Sequence, residues 1–469
     1  MGKRIILNPV TRISGFMELD VTVENNVVTE AKTKGILFRG FEQMLQGRKP
    51  FDAVYFTQRI CGICSAAHSI ASSLALEQAL GVVPPEQGRY LRDIIHCAEF
   101  LQNHIRHFYQ HTIPDFVKLP NINPLQASEY TDFRLPEKEN ARLAKHYVDS
   151  LQMSRLAHQM LAVLGGKAPH NHGVFIGGIT MPASADKIIQ LKSTLQTIST
   201  FVEESMIPDV YTIAQYYPEY YKIGAGYGNF LSYGLFYNYQ DISPLYVKPS
   251  VYTNGKVAPF NSANITENIT YSWHADQLET YTPFETMTTP DLDKEKGYSW
   301  VKAPRYNGLP YEVGPLARQW LSGEYRNGIS TMDRDIARVL ETKKITEIMA
   351  VLLDLVIPEV ELQKQYSLPN QAEGEGLTDT IRGALGHWLK IDQQVISFYQ
   401  IITPSAWDFS TRDEKYLGTV EQALIGTPIQ DENNPVELGR ILRSFDPCMS
   451  CATHVYRPGK EIKTIQVIP

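Results

Sequence analysis

The stretch Leu91-Arg92-Asp93-Ile94-Ile95-His96-Cys97-Ala98-Glu99-Phe100-Leu101-Gln102-Asn103-His104-Ile105-Arg106-His107-Phe108 sets the fold class. Leu91, Ile94, Ile95, Ala98, Leu101, Ile105 and Phe108 fall on one face of a helix of about 25 residues. Three more stretches repeat the spacing. They run through Met153, Leu156, Met160, Val163 and Leu164, through Ile188, Leu191, Leu195 and Ile198, and through Ile345, Ile348, Met349, Leu352 and Leu353. Gly165-Gly166 and Pro358 are natural stops. Several long helices predict a helix bundle as the organising core.

Working outward, β signals flank the helices. Phe16 to Glu24 alternates in polarity, Asn25-Asn26 follows, and Val27-Val28-Thr29-Glu30-Ala31 resumes, which predicts an N-terminal β-hairpin. Residues 207–330 are rich in Tyr, Gly, Asn and Pro and read as an irregular, partly β excursion, with strands at Leu245-Tyr246-Val247 and Ile269-Thr270-Tyr271. The tail Ile462 to Ile468 alternates like a strand. The expected fold is mainly α with peripheral β (α+β). Length alone suggests about three domains, but the shared helical core favours one.

Composition narrows the function. The 469 residues carry a net charge of −7, which disfavours nucleic acid as a partner. No apolar run approaches the ~18 residues that span a bilayer, and the N-terminal apolar stretch is too short for a signal-peptide core.

Five cysteines are too few for a disulfide scaffold. Their placement carries more: Cys61-Gly62-Ile63-Cys64 and Cys448-Met449-Ser450-Cys451 hold four of them at the same spacing, at opposite ends of the chain. Two such pairs argue against buried cysteines acting only as small apolar groups. Zinc ribbons keep their pairs ~15–20 residues apart, so a local zinc knuckle is excluded and only a long-range zinc site remains. A thioredoxin-like pair would need a βαβ context. A buried four-thiolate site for a redox-active transition metal fits best, because thiolates favour soft and borderline metals. Spacing does not choose the metal. Cys97, alone on the apolar helix, reads as core.

The flanks of the cysteine pairs decide more. Arg59-Ile60-Cys61-Gly62-Ile63-Cys64 and Asp446-Pro447-Cys448-Met449-Ser450-Cys451-Ala452-Thr453-His454 closely resemble the large, catalytic subunit of [NiFe] hydrogenases. Pro9-Val10-Thr11-Arg12-Ile13, Arg39-Gly40-Phe41-Glu42, Arg382-Gly383-Ala384-Leu385-Gly386-His387-Trp388, Pro404-Ser405-Ala406-Trp407 and Glu421 to Pro428 agree, in family order. The resemblance implies a Ni–Fe(CO)(CN)2 centre that splits H2 heterolytically and reversibly. Cys61 and Cys448 would be terminal nickel ligands, and Cys64 and Cys451 would bridge nickel to iron. Arg382 would overhang the metals, with Asp446 near it. Ser405 and the backbone at Pro404 would contact cyanide, and His68 would hydrogen-bond a bridging sulfur. Glu42, the Ile401 carbonyl and His454 would hold a Mg-type cation. Because an Fe–S cluster usually takes four Cys, the electron relay would lie on a small-subunit partner. A membrane cytochrome or quinone-reducing partner, nickel-insertion proteins and a maturation endopeptidase are further implied partners.

Three departures stand out. Ser14 occupies the place of a family glutamate that takes protons from a nickel-bound cysteine; Glu18 and Asp379 are candidate replacement acids. Asn103 stands for an aspartate, and Ile381 for a proline. Val455 to Pro469 resembles the removable extension of the membrane-associated respiratory uptake group, so the expected organisation is one domain, 1–454, plus a tail cleaved after His454. The expected location is the periplasm or the outer membrane face, by export with a partner bearing a twin-arginine signal; the cytoplasm is the alternative. A regulatory H2-sensing subunit and a long-range zinc protein are the competing functions.

Overall fold

In the computed structural model, residues 2–120, 132–275, 278–285, 289–358 and 360–452 are described. With 42 % of residues in helices and 22 % in strands, the expectation of a mixed fold with helices in the majority is met.

The decisive stretch forms a helix, Glu86–Arg106, continued by a wider π-helical turn over His107–Thr112. Its apolar face packs on the helices Glu137–Gly165 and Thr331–Leu355. Gly166, at φ +79°, stops the first of these as expected. A capping box starts the second: Ser330 Oγ accepts from Asp333 N (3.2 Å), and Asp333 Oδ2 accepts from Ser330 N (2.8 Å). The fourth predicted helix spans Ala185–Phe201 and also packs on Thr331–Leu355. One continuous apolar cluster runs from Ile5 to Cys451. Cys97 is wholly buried within it.

The hairpin is present as Met17–Glu24 and Val27–Gly35, with Lys3–Leu7 as a third strand on the other edge of Met17–Glu24. Asn25 and Asn26 both take positive φ, +51° and +61°, which is what a two-residue turn with matching twist requires. Residues 207–330 differ in part from expectation. Their first ten residues form a helix, Ile207–Tyr216. Ser243–Val247 is a strand, but Ile269-Thr270-Tyr271 is not; the strand there is Ile265–Asn268. Asn268 ends it by accepting the Thr270 N–H on its side chain (3.0 Å), which turns the backbone. The predicted strand at 462–468 lies outside the described residues.

A three-stranded antiparallel sheet, Gln371–Thr380, Gly383–Asp392 and Val395–Ile402, escaped sequence reading. It packs against the helix Ser65–Leu80. The helix comes so near that a Cβ on Gly376 would sit 2.0 Å from the Ala71 carbonyl oxygen, so glycine is required there. This packing brings together the two parts of the site. The helix begins immediately after Cys64, and the sheet presents Arg382 in the two-residue turn between Thr380 and Gly383.

Candidate metal centre

Cys61 and Cys64 lie on the turn that enters the Ser65–Leu80 helix. Glu99, buried on the Glu86–Arg106 helix, holds that entry: its two carboxylate oxygens accept from Ala66 N (2.7 Å) and Ala67 N (2.9 Å). Burial pushes its carboxyl up to about 8, against the pull of those two donors.

Cys448 and Cys451 follow the helix Val436–Ser444. Asp446 takes φ +55° between that helix and Pro447, which turns the chain toward the N-terminus. There Ser14 clamps the loop. Its N–H donates to the Pro447 carbonyl (3.2 Å), its carbonyl accepts from Met449 N (2.7 Å), and its Oγ lies 3.5 Å from Cys448 Sγ. Arg39 ties the two loops together by donating to the carbonyls of Ile60 and Ser450.

The result is one cluster. Sulfur–sulfur distances are 3.5 Å for Cys61–Cys448, 3.3 Å for Cys64–Cys451 and 2.8 Å for Cys448–Cys451. All four sulfurs lie within 4.8 Å of one another, and all four residues are buried. Burial would raise the Cys448 thiol, but its sulfur neighbours and Arg382 hold it well below the usual thiol range. Cys64 and Cys451 go the other way, pushed up by the Cys448 sulfur and by burial respectively. Four sulfurs this close share limited negative charge unless a cation joins them.

Beside them is a small cavity of about 10 Å³, lined by Cys64, Cys448, Cys451, His68, Thr380, Arg382, Leu385, Pro404 and Ser405. Arg382 Nε donates to the Asp446 carbonyl (2.8 Å), and Nη2 pairs with Asp446 Oδ1 (2.9 Å). Its buried Nη1 has no hydrogen-bond partner among the described residues. Ser405 Oγ accepts from Cys448 N (3.0 Å). Asp446 is fully engaged, with Asn103 Nδ2 (2.9 Å) and Arg338 Nη1 (3.3 Å) on Oδ2. Burial would raise its carboxyl; Arg382 first, then His107 and Arg338, hold it well below the usual range.

Residues 39–131, 126–328 and 322–454 match the family described as nickel-dependent hydrogenase. The chain belongs to that family. The large subunit of the periplasmic [NiFeSe] hydrogenase of Desulfomicrobium baculatum is 35% identical, over 96% of this chain and 95% of its own. The quinone-reactive Ni/Fe-hydrogenase large chain of Wolinella succinogenes is 29% identical over 100% and 99%. The solved Ni-Fe-Se hydrogenase from D. vulgaris Hildenborough superposes with a TM-score of 0.92 at 37% identity, covering 97% of this chain and 100% of that one. This protein is therefore a hydrogenase large subunit, an oxidoreductase acting on H2. It has cysteine at all four clustered positions.

The other sequence-selected residues divide clearly. Glu42 and Ile401 line a second cavity, also bordered by Cys451, Glu267 and Lys302. Glu42 is buried and its Oε2 has no hydrogen-bond partner among the described residues. His454 lies outside the described residues. His68 lines the cysteine cavity, but its described side-chain partner is His387: its Nδ1 lies 3.1 Å from His387 Nε2. His387 Nδ1 lies 2.8 Å from the Tyr399 hydroxyl, which donates to Ser72 (3.1 Å). Glu18 is corrected as a replacement acid, because it is engaged on the N-terminal sheet by Lys34 (2.7 Å) and Asn8 (2.6 Å). Asp379 is held by Arg318 (3.2 Å), Ser232 (3.0 Å) and Tyr233 N (2.8 Å). Sequence reading missed Glu99, Arg338 and the clamp made by Arg39. Glu99 carried one signal, a carboxylate at the centre of an apolar helical repeat.

Proposed function

We propose that Cys61, Cys64, Cys448 and Cys451 would hold a Ni–Fe(CO)(CN)2 centre, all four as thiolate ligands. The observation that carries this is the position of the cavity. It borders Cys64, Cys448 and Cys451 but not Cys61, so the open space lies to one side of the four sulfurs, where the small ligands of the centre would sit. The donors fit such ligands: an orphaned guanidinium nitrogen of Arg382 and the hydroxyl of Ser405 border that space. When bound, the centre supplies heterolytic H2 cleavage and its reverse. The residues do the rest. Arg382 places a fixed, buried positive charge at the cavity, where charge is stabilised without reorganisation. Asp446 fixes the guanidinium through two contacts. Ser405 holds the Cys448 backbone, and Ser14 and Arg39 hold the loops.

Glu42, the Ile401 carbonyl and His454 form the proposed divalent-cation site. A buried carboxylate with an oxygen that has no partner among the described residues, beside a cavity, suits a hard cation such as Mg2+. Electrons pass to Fe–S clusters on a small subunit, since Cys97 is committed to the core. The relative named as periplasmic supports export with a partner bearing a twin-arginine signal, and the relative named as quinone-reactive supports a membrane quinone-reducing partner. The continuous core supports one domain, 1–454, with residues 455–469 removed by a maturation endopeptidase after nickel-insertion proteins have acted. Metal analysis of the purified active protein tests the centre. One nickel and one iron per chain are expected, and zinc in their place refutes it. Mass spectrometry of the same sample should find the C-terminus at His454; an intact tail in active protein refutes the cleavage.

A further inference from the structure

The Glu86–Arg106 helix and its π-helical extension turn a polar face toward the metal centre. Glu99 holds the Cys61–Cys64 turn, and Asn103 bridges Arg382 and Asp446. Beyond Asn103 comes His107, 1% exposed, with no hydrogen-bond partner on either ring nitrogen among the described residues. Asp446 Oδ1 stands 3.7 Å from its Nε2. One turn on is His111, partly exposed, its ring centroid 5.4 Å from that of His107. Ligand atoms of His107, His111 and Asp446 all lie within 4.8 Å of one another.

A buried imidazole kept only for packing normally satisfies at least one nitrogen, since each orphaned polar group costs about 1–3 kcal/mol. Asp446 Oδ1 is beyond direct hydrogen-bond reach of His107 Nε2, and the ligand atoms of His111 lie within 4.8 Å, so water on the ring nitrogens would connect the groups. A metal ion is the weaker occupant. Asp446 already gives Oδ1 to Arg382 and Oδ2 to Asn103 and Arg338, and two guanidinium groups repel a cation. On the other side of the cluster, Ser14 can pass a proton but cannot store one as a carboxylate does.

We propose that His107 and His111 form a proton relay between the Arg382–Asp446 pair and the protein surface, through water held on the free nitrogens of His107. It rests on the reading that the four cysteines hold the H2-splitting centre. A proton leaving the centre is taken up on one nitrogen of His107 while the other releases one toward His111, which passes it to solvent. No electrons move. Burial keeps both rings neutral at rest, His111 at about 4 and His107 well below the usual imidazole range. Asp446, Arg338, Arg382 and His111 face His107; Asp446, Arg106, Arg382 and Arg12 face His111.

The test uses the purified holoenzyme with His111→Phe and His107→Phe. HD formed from D2 in light water reads proton traffic apart from metal chemistry. It should fall roughly 10²-fold, the low end for a positioned proton carrier, with nickel, iron and the infrared bands of CO and cyanide unchanged. Added imidazole should restore part of it in His111→Phe, whose site reaches the surface. A high-resolution crystal structure of the unaltered enzyme should place water on both His107 nitrogens. Unchanged HD formation in the His111 variant, a dry His107, or a metal ion among the three ligands overturns the relay. Absence of nickel, iron and the infrared bands from the unaltered protein overturns the metal reading instead.

Discussion

Gly15→Ala isolates how the two ends of the chain meet. Gly15 has φ +81°, and a Cβ there would lie 2.4 Å from Ser450 N and 2.9 Å from the Met449 carbonyl carbon. Both are backbone atoms of the loop between Cys448 and Cys451, so no side chain can swing away. Ordinary contact begins at 3.4 Å, so the strands must part by about 1 Å. The left-handed backbone costs an alanine roughly 1–2 kcal/mol. Losing the two Ser14 backbone bonds costs about 0.5–1.5 kcal/mol each. The sum is roughly 2–5 kcal/mol. With an unfolding entropy of about 2.1 cal/mol/K per residue, that lowers Tm by only roughly 2–5 °C in a chain this long. The effect on metal is larger, because ligand distances tolerate only about 0.2 Å. Gly47→Ala is the control: Gly47 has φ +77° and nothing within 4 Å of the added Cβ, so it suffers the strain without the crowding. Nickel per folded chain should collapse in Gly15→Ala and stay full in Gly47→Ala. Full nickel in Gly15→Ala, or equal loss in both, would refute the reasoning.

Other outcomes follow from the same contacts. Arg382→Lys keeps the charge but loses the two-point hold on Asp446, so turnover should drop by roughly 10²–10³ with metal content kept; turnover near that of the unaltered enzyme would remove Arg382 from the chemistry. Glu42→Gln should release the divalent cation, read by magnesium analysis, while nickel is kept; retained cation contradicts the site. Burial lowers His68, His104 and His111 from 6.5 to about 4, and His96 and His274 to about 3. Between those values the unfolded chain binds more protons, so stability is full above pH 6.5 and is lost progressively as pH falls toward 4, by up to about 1.4 kcal/mol per pH unit for each group. Denaturant midpoints that stay flat from pH 6.5 to 4 would contradict this.

The long helices were legible because their apolar residues recur at spacings of three and four. The N-terminal hairpin was legible because Asn25-Asn26 is among the few pairs that tolerate positive φ together. The sheet that carries Arg382 was not legible. Gly383–Asp392 is buried along most of its length on both faces, so polarity does not alternate, and Gly374 and Gly376, placed by the close approach of a helix, look like breakers. The four cysteines could be paired by spacing alone, since a shared metal needs all four. Arg39, Glu99 and Arg338 could not, because their roles depend on contacts between separate segments, from 33 residues apart for Glu99 and Ala66 to 411 for Arg39 and Ser450. The same holds for His107: a histidine on a helix face looks like core until neither nitrogen proves to have a hydrogen-bond partner among the described residues.

Infrared spectroscopy of the purified protein tests the central claim most directly. A Ni–Fe(CO)(CN)2 centre on Cys61, Cys64, Cys448 and Cys451 predicts one band from metal-bound CO and two from cyanide, all lost in Cys64→Ser. A protein with full nickel and iron but none of these bands, or with bands unchanged in Cys64→Ser, would contradict it.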